Sequence, residues 1–315
     1  MTNDSGIVVP VLISRFPFRQ HLGYRDIRND GEEYYERRTK KLLTAKNDLV
    51  HGYYVNCGAD YVAYCFPDIG VHEAQTISRF YTFWVLFDDW IDNLTNQEEV
   101  DTLLSDFIRV TKADSVDSRD GYETFSDLLA MAGKRSDKTL ELVRYSFLAW
   151  CESSRRIREI EINEEQVTYD EYMIVRQANC SMLCIHMSAA CADPELAADV
   201  EELWESEDFK NAVLYSGKSM ALLLDLYNAL NPKHTEVTEH ANVVRVVKKS
   251  LPDGMGWQDA VDRCVSLFYT YEEEMERALD RVSVTHPALA RTMRKIQGGN
   301  VLWMRDMRGL RYIDA

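Results

Sequence analysis

Apolar residues return every three or four positions along six stretches of this chain, each more than twenty residues long. In residues 72–93 the repeat is Ile77, Phe80, Trp84, Phe87 and Ile91; in 137–160 it is Leu140, Val143, Phe147 and Trp150. Residues 169–191 carry Tyr172, Val175, Met182, Ile185 and Ala189, residues 208–231 carry Val213, Met220, Leu223, Leu224 and Tyr227, and 257–282 and 287–307 complete the set. A period near 3.6 gathers such positions on one face of a helix, whereas a half-buried strand needs strict alternation. Only Ile7 to Ile13 reads as a strand, and it is short. Breaks are expected at 67–70, 113–122, Asp193-Pro194, Asn231-Pro232 and 251–256, where Pro, Gly, Asp and Ser gather. Ser136 and Thr168 are placed to cap helix starts. The pattern predicts an all-α bundle.

The 315 residues hold seven Pro and 14 Gly, with no repeat, low-complexity run or linker. The chain is therefore read as a single domain over residues 1–315, its first 20 or so residues loosely ordered. A net charge of −16 argues against a nucleic-acid partner and against a polybasic membrane anchor. No apolar run reaches the roughly 18 residues of a membrane span. Met1–Pro10 lacks the charged-then-apolar pattern of an export signal. The seven Cys are accordingly read as reduced thiols of a cytoplasmic protein, with Cys180 and Cys184 as core residues rather than metal ligands.

Three carboxylates fall within five residues at Asp88-Asp89-Trp90-Ile91-Asp92, directly after the aromatic run Phe83–Phe87. Asp88 and Asp92 lie four apart and share a helix face, where like charges repel unless a cation sits between them. Carboxylate oxygens with open water positions suit Mg²⁺ held jointly with substrate phosphates. The stretch reads as a metal–diphosphate clamp at the lip of a greasy pocket; a solvated acidic helix end is the plainer alternative.

The segment Phe87-Asp-Asp-Trp-Ile-Asp92 resembles the aspartate-rich motif of class I terpene synthases. Arg176, 84 residues beyond Asp92, resembles that family's diphosphate-sensing arginine, with Asn179 and Cys180 at the linker and effector positions of the helix break that follows it. Near the C-terminus, Gly299-Asn300, Trp303 and then Arg311-Tyr312 resemble the family's closing segment, where the Trp lines the pocket and the Arg-Tyr pair binds diphosphate. Arg305 and Arg308 are nearby alternatives. A guanidinium suits that task because its planar fork donates to two phosphate oxygens at once. The resemblance spans about residues 70–313. It implies an all-α fold, a deep apolar cavity, Mg²⁺ ions, commonly three, that hold a prenyl diphosphate, and a monomer or homodimer.

One part of the pattern fails. The family's second metal motif, Asn/Asp-Asp-x-x-Ser/Thr-x-x-x-Glu, fits no register between Leu222 and Glu236. A start at Asp225 puts Ala229 and Lys233 at ligand positions; a start at Leu224 puts Asn228 at the Ser/Thr position and Pro232 at the Glu position. Pro232 is expected to end the helix early, letting a loop carry Glu236 toward the metal. Three readings stay open. Asp225, Asn228 and Glu236 form an irregular metal site; Lys233 replaces a metal charge, with fewer ions bound; or the site is broken and no diphosphate is ionised.

The resemblance implies a lyase that ionises an allylic prenyl diphosphate and cyclises the cation to a sesquiterpene, releasing diphosphate. Asp88, Asp89 and Asp92 would hold metal, and Arg176, Lys233, Arg311 and Tyr312 would donate to the leaving group. Aromatic faces stabilise cations without reacting, so Phe83, Trp84, Phe87 and Trp303 are expected to line the pocket with Asn179 and Cys180. Core packing is the alternative for each aromatic. The absence of DxDD argues against protonation-initiated cyclisation, and the absence of a second DDxxD against chain elongation. Farnesyl diphosphate is the best substrate guess, with geranyl and geranylgeranyl diphosphate open. Prenyl transfer to an acceptor and a non-catalytic helical binding protein are the competing readings.

Overall fold

The computed structural model describes residues 7–42, 48–113, 117–229 and 238–311, with side chains except at residues 41, 48–52 and 307–311. Helix α1 (Tyr24–Tyr34) widens into a π turn (Tyr35–Thr39) and is followed by α2 (Asp48–Cys65), α3 (Val71–Asp92), α4 (Gln97–Lys112) and α5 (Tyr122–Gly133). Then come α6 (Asp137–Ile162), α7 (Tyr169–Asn179), α8 (Met182–Ala192), α9 (Pro194–Leu203) and α10 (Glu207–Asn228). The last three are α11 (Val243–Ser250), α12 (Trp257–Val282) and α13 (Pro287–Arg311). The fold is all-α, as the apolar period predicts.

Five of the six periodic stretches form α3, α6, α10, α12 and α13 within a few residues of the expected bounds. The sixth is cut in two, because Ser181 takes a left-handed conformation, φ +71°, between α7 and α8. Side chains fix several helix starts. Ser136 Oγ accepts the Thr139 amide at 2.8 Å. Thr168 and Glu171 form a reciprocal capping box at α7. Asn96 caps α4 and Asp193 caps α9, where Pro194 occupies the first turn.

The segment from Ile7 to Ile13 corrects two expectations. It is extended, but apart from a single bridge position at Val8 it forms no strand among the described residues, and its described backbone bonds go to side chains. Gln258 takes the Val8 amide at 2.8 Å and donates to the Val8 carbonyl at 3.1 Å, and the Leu12 amide donates to the Tyr227 hydroxyl at 3.2 Å. Nor is it loosely ordered from Ile7 onward. Ile7, Val9, Leu12 and Phe16 are buried, and the buried Glu272 carboxylate accepts from Ser14 Oγ at 2.6 Å and the Arg15 amide at 3.0 Å.

One apolar cluster runs through the whole body. On the outer side of α3, Phe80, Phe107, Phe125 and Phe147 interlock with Trp150, their nearest ring pairs 4.6–5.5 Å apart. Such aromatic packing anchors α3 against α4, α5 and α6 and fixes which of its faces turns inward. All seven Cys are buried and reduced. Among the described residues, no helix is long and apolar enough to cross a membrane.

Candidate active site

A cavity of about 480 Å³ opens between α2, α3, α6, α7, α8, α10 and α13. Along α3 its wall runs through Tyr81, Trp84, Val85, Asp88 and Asp92, spaced at helical intervals, so it turns from apolar to acidic over the last two turns. Ligand oxygens of Asp88, Asp89 and Asp92 all lie within 4.8 Å of one another. Asp89 also accepts a hydrogen bond from the Tyr54 hydroxyl on α2. Three carboxylates this close form an oxygen-only donor set of the kind hard divalent cations take.

The same helical geometry corrects two pocket assignments. Phe83 and Phe87 do not line the cavity; both are fully buried in the outer layer. Phe83 packs on Tyr122 at 5.1 Å and Phe87 on Phe107 at 5.0 Å. Each lies about 100° around the helix from its successor, Trp84 or Asp88, which do face the cavity. Trp84 lines it from α3, and Trp303 lines it from α13, edge-on to Tyr61 with ring centroids 5.0 Å apart.

Opposite α3, Arg176 reaches from α7 to α10. Its Nε and Nη2 donate to Asp225 Oδ1 at 3.0 and 2.8 Å, and its Nη1 donates to Asn179 Oδ1. Asn179 in turn donates to Ser154 Oγ at 3.0 Å, tying α7 to α6. The second Asp225 oxygen meets the Tyr172 hydroxyl at 2.9 Å and the Val243 amide at 2.8 Å. Burial opposes the Arg176 charge, but the Asp225 carboxylate outweighs it and holds the guanidinium above its ordinary range. Every described contact of the Asp225 carboxylate is thus a protein donor, which makes it the counter-ion of Arg176 rather than an open metal ligand.

Cys180 lines the cavity at the α7–α8 break, and its thiol donates to the carbonyls of Gln177 at 3.0 Å and Gly217 at 3.1 Å. Gly217 permits this close approach of α10 to α7: a Cβ there would stand 2.7 Å from the Gln177 carbonyl oxygen.

Asn228 ends α10 at the cavity wall and hydrogen-bonds Glu239. Burial pushes the Glu239 carboxyl above the usual range, against the effect of that bond. Glu239, Glu161 and Arg158 also line the cavity, and sequence reasoning singled out none of them. Glu239 lies three residues beyond Glu236 in the sequence, and the acidic spacing of the segment is the one signal that points to it. Arg158 and Glu161 carry no motif; only the packing of α6 brings them in. Lys233, Glu236 and Tyr312 lie outside the described residues, as does the side chain of Arg311.

Residues 79–274 match the family model described as terpene synthase family 2, C-terminal metal binding. No curated protein matches the sequence. Solved structures do. The SVS_A2 protein from ancestral sequence reconstruction aligns with a TM-score of 0.78 at 15% identity, over 94% of this chain and 90% of that one. Hedycaryol synthase in complex with nerolidol aligns with a TM-score of 0.73 at 12% identity, over 96% and 99%. The structure of a-eudesmol synthase aligns with a TM-score of 0.73 at 11% identity, over 93% and 97%.

Proposed function

The chain belongs to terpene synthase family 2 and is a class I terpene synthase; on that premise we propose that it ionises farnesyl diphosphate with Mg²⁺ and cyclises the resulting cation to a sesquiterpene. The observation that carries this reading is the cluster of Asp88, Asp89 and Asp92 where an aromatic cavity wall turns acidic. A volume of about 480 Å³ lies within the range of about 300–1,000 Å³ that encloses a small ligand. The structures named for hedycaryol synthase and a-eudesmol synthase share the fold and support a substrate of that size.

The donor set fits Mg²⁺, being carboxylate oxygen throughout. Asp88 and Asp92 would hold it from α3, with Asn228 and Glu239 as the proposed contributors across the cavity, since Asp225 is committed to Arg176. Bound there, the metal would neutralise charge that builds on the departing diphosphate. Arg176 lies on the same wall as a further donor, and Lys233, Arg311 and Tyr312 complete the set by their place in the sequence. The rest of the task falls to the apolar wall. An allylic cation is consumed by water, so the cavity must be dry when ionisation occurs. The rings of Trp84, Tyr61 and Trp303 face that space and would stabilise positive charge by about 0.5–2 kcal/mol each without acting as nucleophiles.

The test is a product assay. The purified protein is incubated with farnesyl diphosphate and Mg²⁺, and a hexane extract is analysed by mass spectrometry. Cyclic fifteen-carbon products that vanish with a chelator are expected. A longer diphosphate formed on adding isopentenyl diphosphate would instead establish prenyl transfer. No turnover of any ten-, fifteen- or twenty-carbon diphosphate would overturn the reading.

A further inference from the structure

We propose that Arg158, a residue of α6 that no motif marks, is a diphosphate-binding residue of this site; the inference rests on the ionisation reading above. Its neighbours on α6 show what an arginine ordinarily does in a chain of net charge −16. Arg155 pairs with Asp101 at 2.7 Å, and Arg156 pairs with Glu165 at 2.6 Å and Glu159 at 3.0 Å. Arg176, the other arginine among the described residues that line the cavity, is held by Asp225 and Asn179. Arg158 behaves differently. Its described hydrogen bond runs from Nη2 to the Leu94 carbonyl at 2.6 Å, and its buried Nε has no partner. Glu161, one turn along the same helix, does not take it up; Glu161 Oε2 accepts the Ala241 amide at 2.5 Å.

Position gives this surplus of donors a meaning. Leu94 follows the C-terminal end of α3, two residues past Asp92. The bond to its carbonyl fixes the guanidinium between α6 and the end of the acidic helix, and Arg158, Asp88 and Asp92 line one cavity. A guanidinium offers five N–H donors in a planar fork. One is used on Leu94, which leaves donors for an anion seated on the aspartates. A buried donor without a partner is costly, and native proteins keep few of them. A diphosphate oxygen would satisfy Nε while adding a charge-assisted bond. No covalent step falls to Arg158. It binds the anion and compensates its charge.

A purely structural role, clamping the turn after α3, is the competing explanation, and binding separates the two. The probe is inorganic pyrophosphate with Mg²⁺, titrated calorimetrically into the full chain, with thermal unfolding measured in parallel. Arg158→Gln should weaken pyrophosphate binding about tenfold or more, the usual scale for a lost charge-assisted bond. Arg158→Lys, which keeps the charge and loses the fork, should recover part of the affinity and lower the salt sensitivity of binding less than Gln does. Unchanged affinity in Arg158→Gln with a lowered unfolding midpoint would overturn the inference alone. Should the Gln variant fail to fold, Arg158→Lys decides: wild-type affinity in that variant overturns the inference, and weakened affinity with native circular dichroism supports it. Wild-type protein that binds no pyrophosphate in Mg²⁺ overturns both the inference and the ionisation reading beneath it.

Discussion

Trp84 and Phe83 are adjacent on α3, yet one faces the cavity and the other the buried outer layer. That single step of about 100° separates chemistry from packing. Trp84→Leu should alter the ratio of terpene products in the extract. Phe83→Leu should leave the ratio unchanged and lower the unfolding free energy by about 1–3 kcal/mol, read from urea denaturation, because it opens space beside Tyr122. Identical product profiles for Trp84→Leu and wild type would remove Trp84 from the cation's surroundings. Asp225 is a second residue whose role the geometry redefines. Asp225→Asn takes the countercharge from Arg176, and breaking such a buried pair costs about 3–5 kcal/mol. Unfolding at wild-type denaturant concentration would contradict that account. The acidic triplet and Arg176 were legible in the sequence because each signal is local. Phe83 and Phe87 misled because α3 is buried on more than one side, so an aromatic stripe at helical spacing does not say which side holds the ligand.

Helices α7 and α10 touch closely because Gly217 has no side chain, and the Cys180 thiol bridges them there. Gly217→Ala places a methyl carbon 2.7 Å from the Gln177 carbonyl oxygen, so one helix must retreat. The expected cost is about 1–3 kcal/mol, as for other overpacked sites. Activity should fall further than stability does, since the movement displaces the break that carries Cys180 and Arg176. A variant with wild-type turnover would show that the α7–α10 spacing does not set the site. Long helices were legible by period and by the caps at Ser136 and Thr168, which act within four residues. The break after Arg176 was legible only through the family resemblance, and the positions of Glu239 and Arg158 at the cavity were not legible at all. They follow from how helices far apart in sequence pack, which no local pattern records. The run at Ile7 is short, continuously apolar and β-branched, which suggested a strand, but its described backbone partners are side chains on α12 and α10.

Across the whole molecule, buried polar groups link helices that share no sequence neighbourhood. His186 on α8 meets Ser216 on α10 at 3.3 Å, and Ser216 donates to Gln297 on α13 at 2.9 Å. Burial lowers the His186 pKa to about 3, far below the roughly 6.5 of an unfolded histidine. The stability tied to its neutral form is therefore complete above about 6.5 and is lost as pH falls toward the folded value, at up to about 1.4 kcal/mol per unit. Between about pH 7 and pH 5 the unfolding free energy of His186→Gln should drop by roughly 2 kcal/mol less than that of wild type. Parallel losses in the two proteins would place the acid sensitivity elsewhere. The seven cysteines carry a consequence of a different sort. All are buried, and burial drives the Cys151 and Cys191 thiols up to about 12, so almost no thiolate is present at neutral pH. Except at Cys180, which lines the cavity, an alkylating reagent added to the native protein must wait for the fold to open. The sulfurs are spread over α2, α6, α8, α12 and the α7–α8 junction. The order in which they react would thus time the opening of each region, making the chain its own stopwatch.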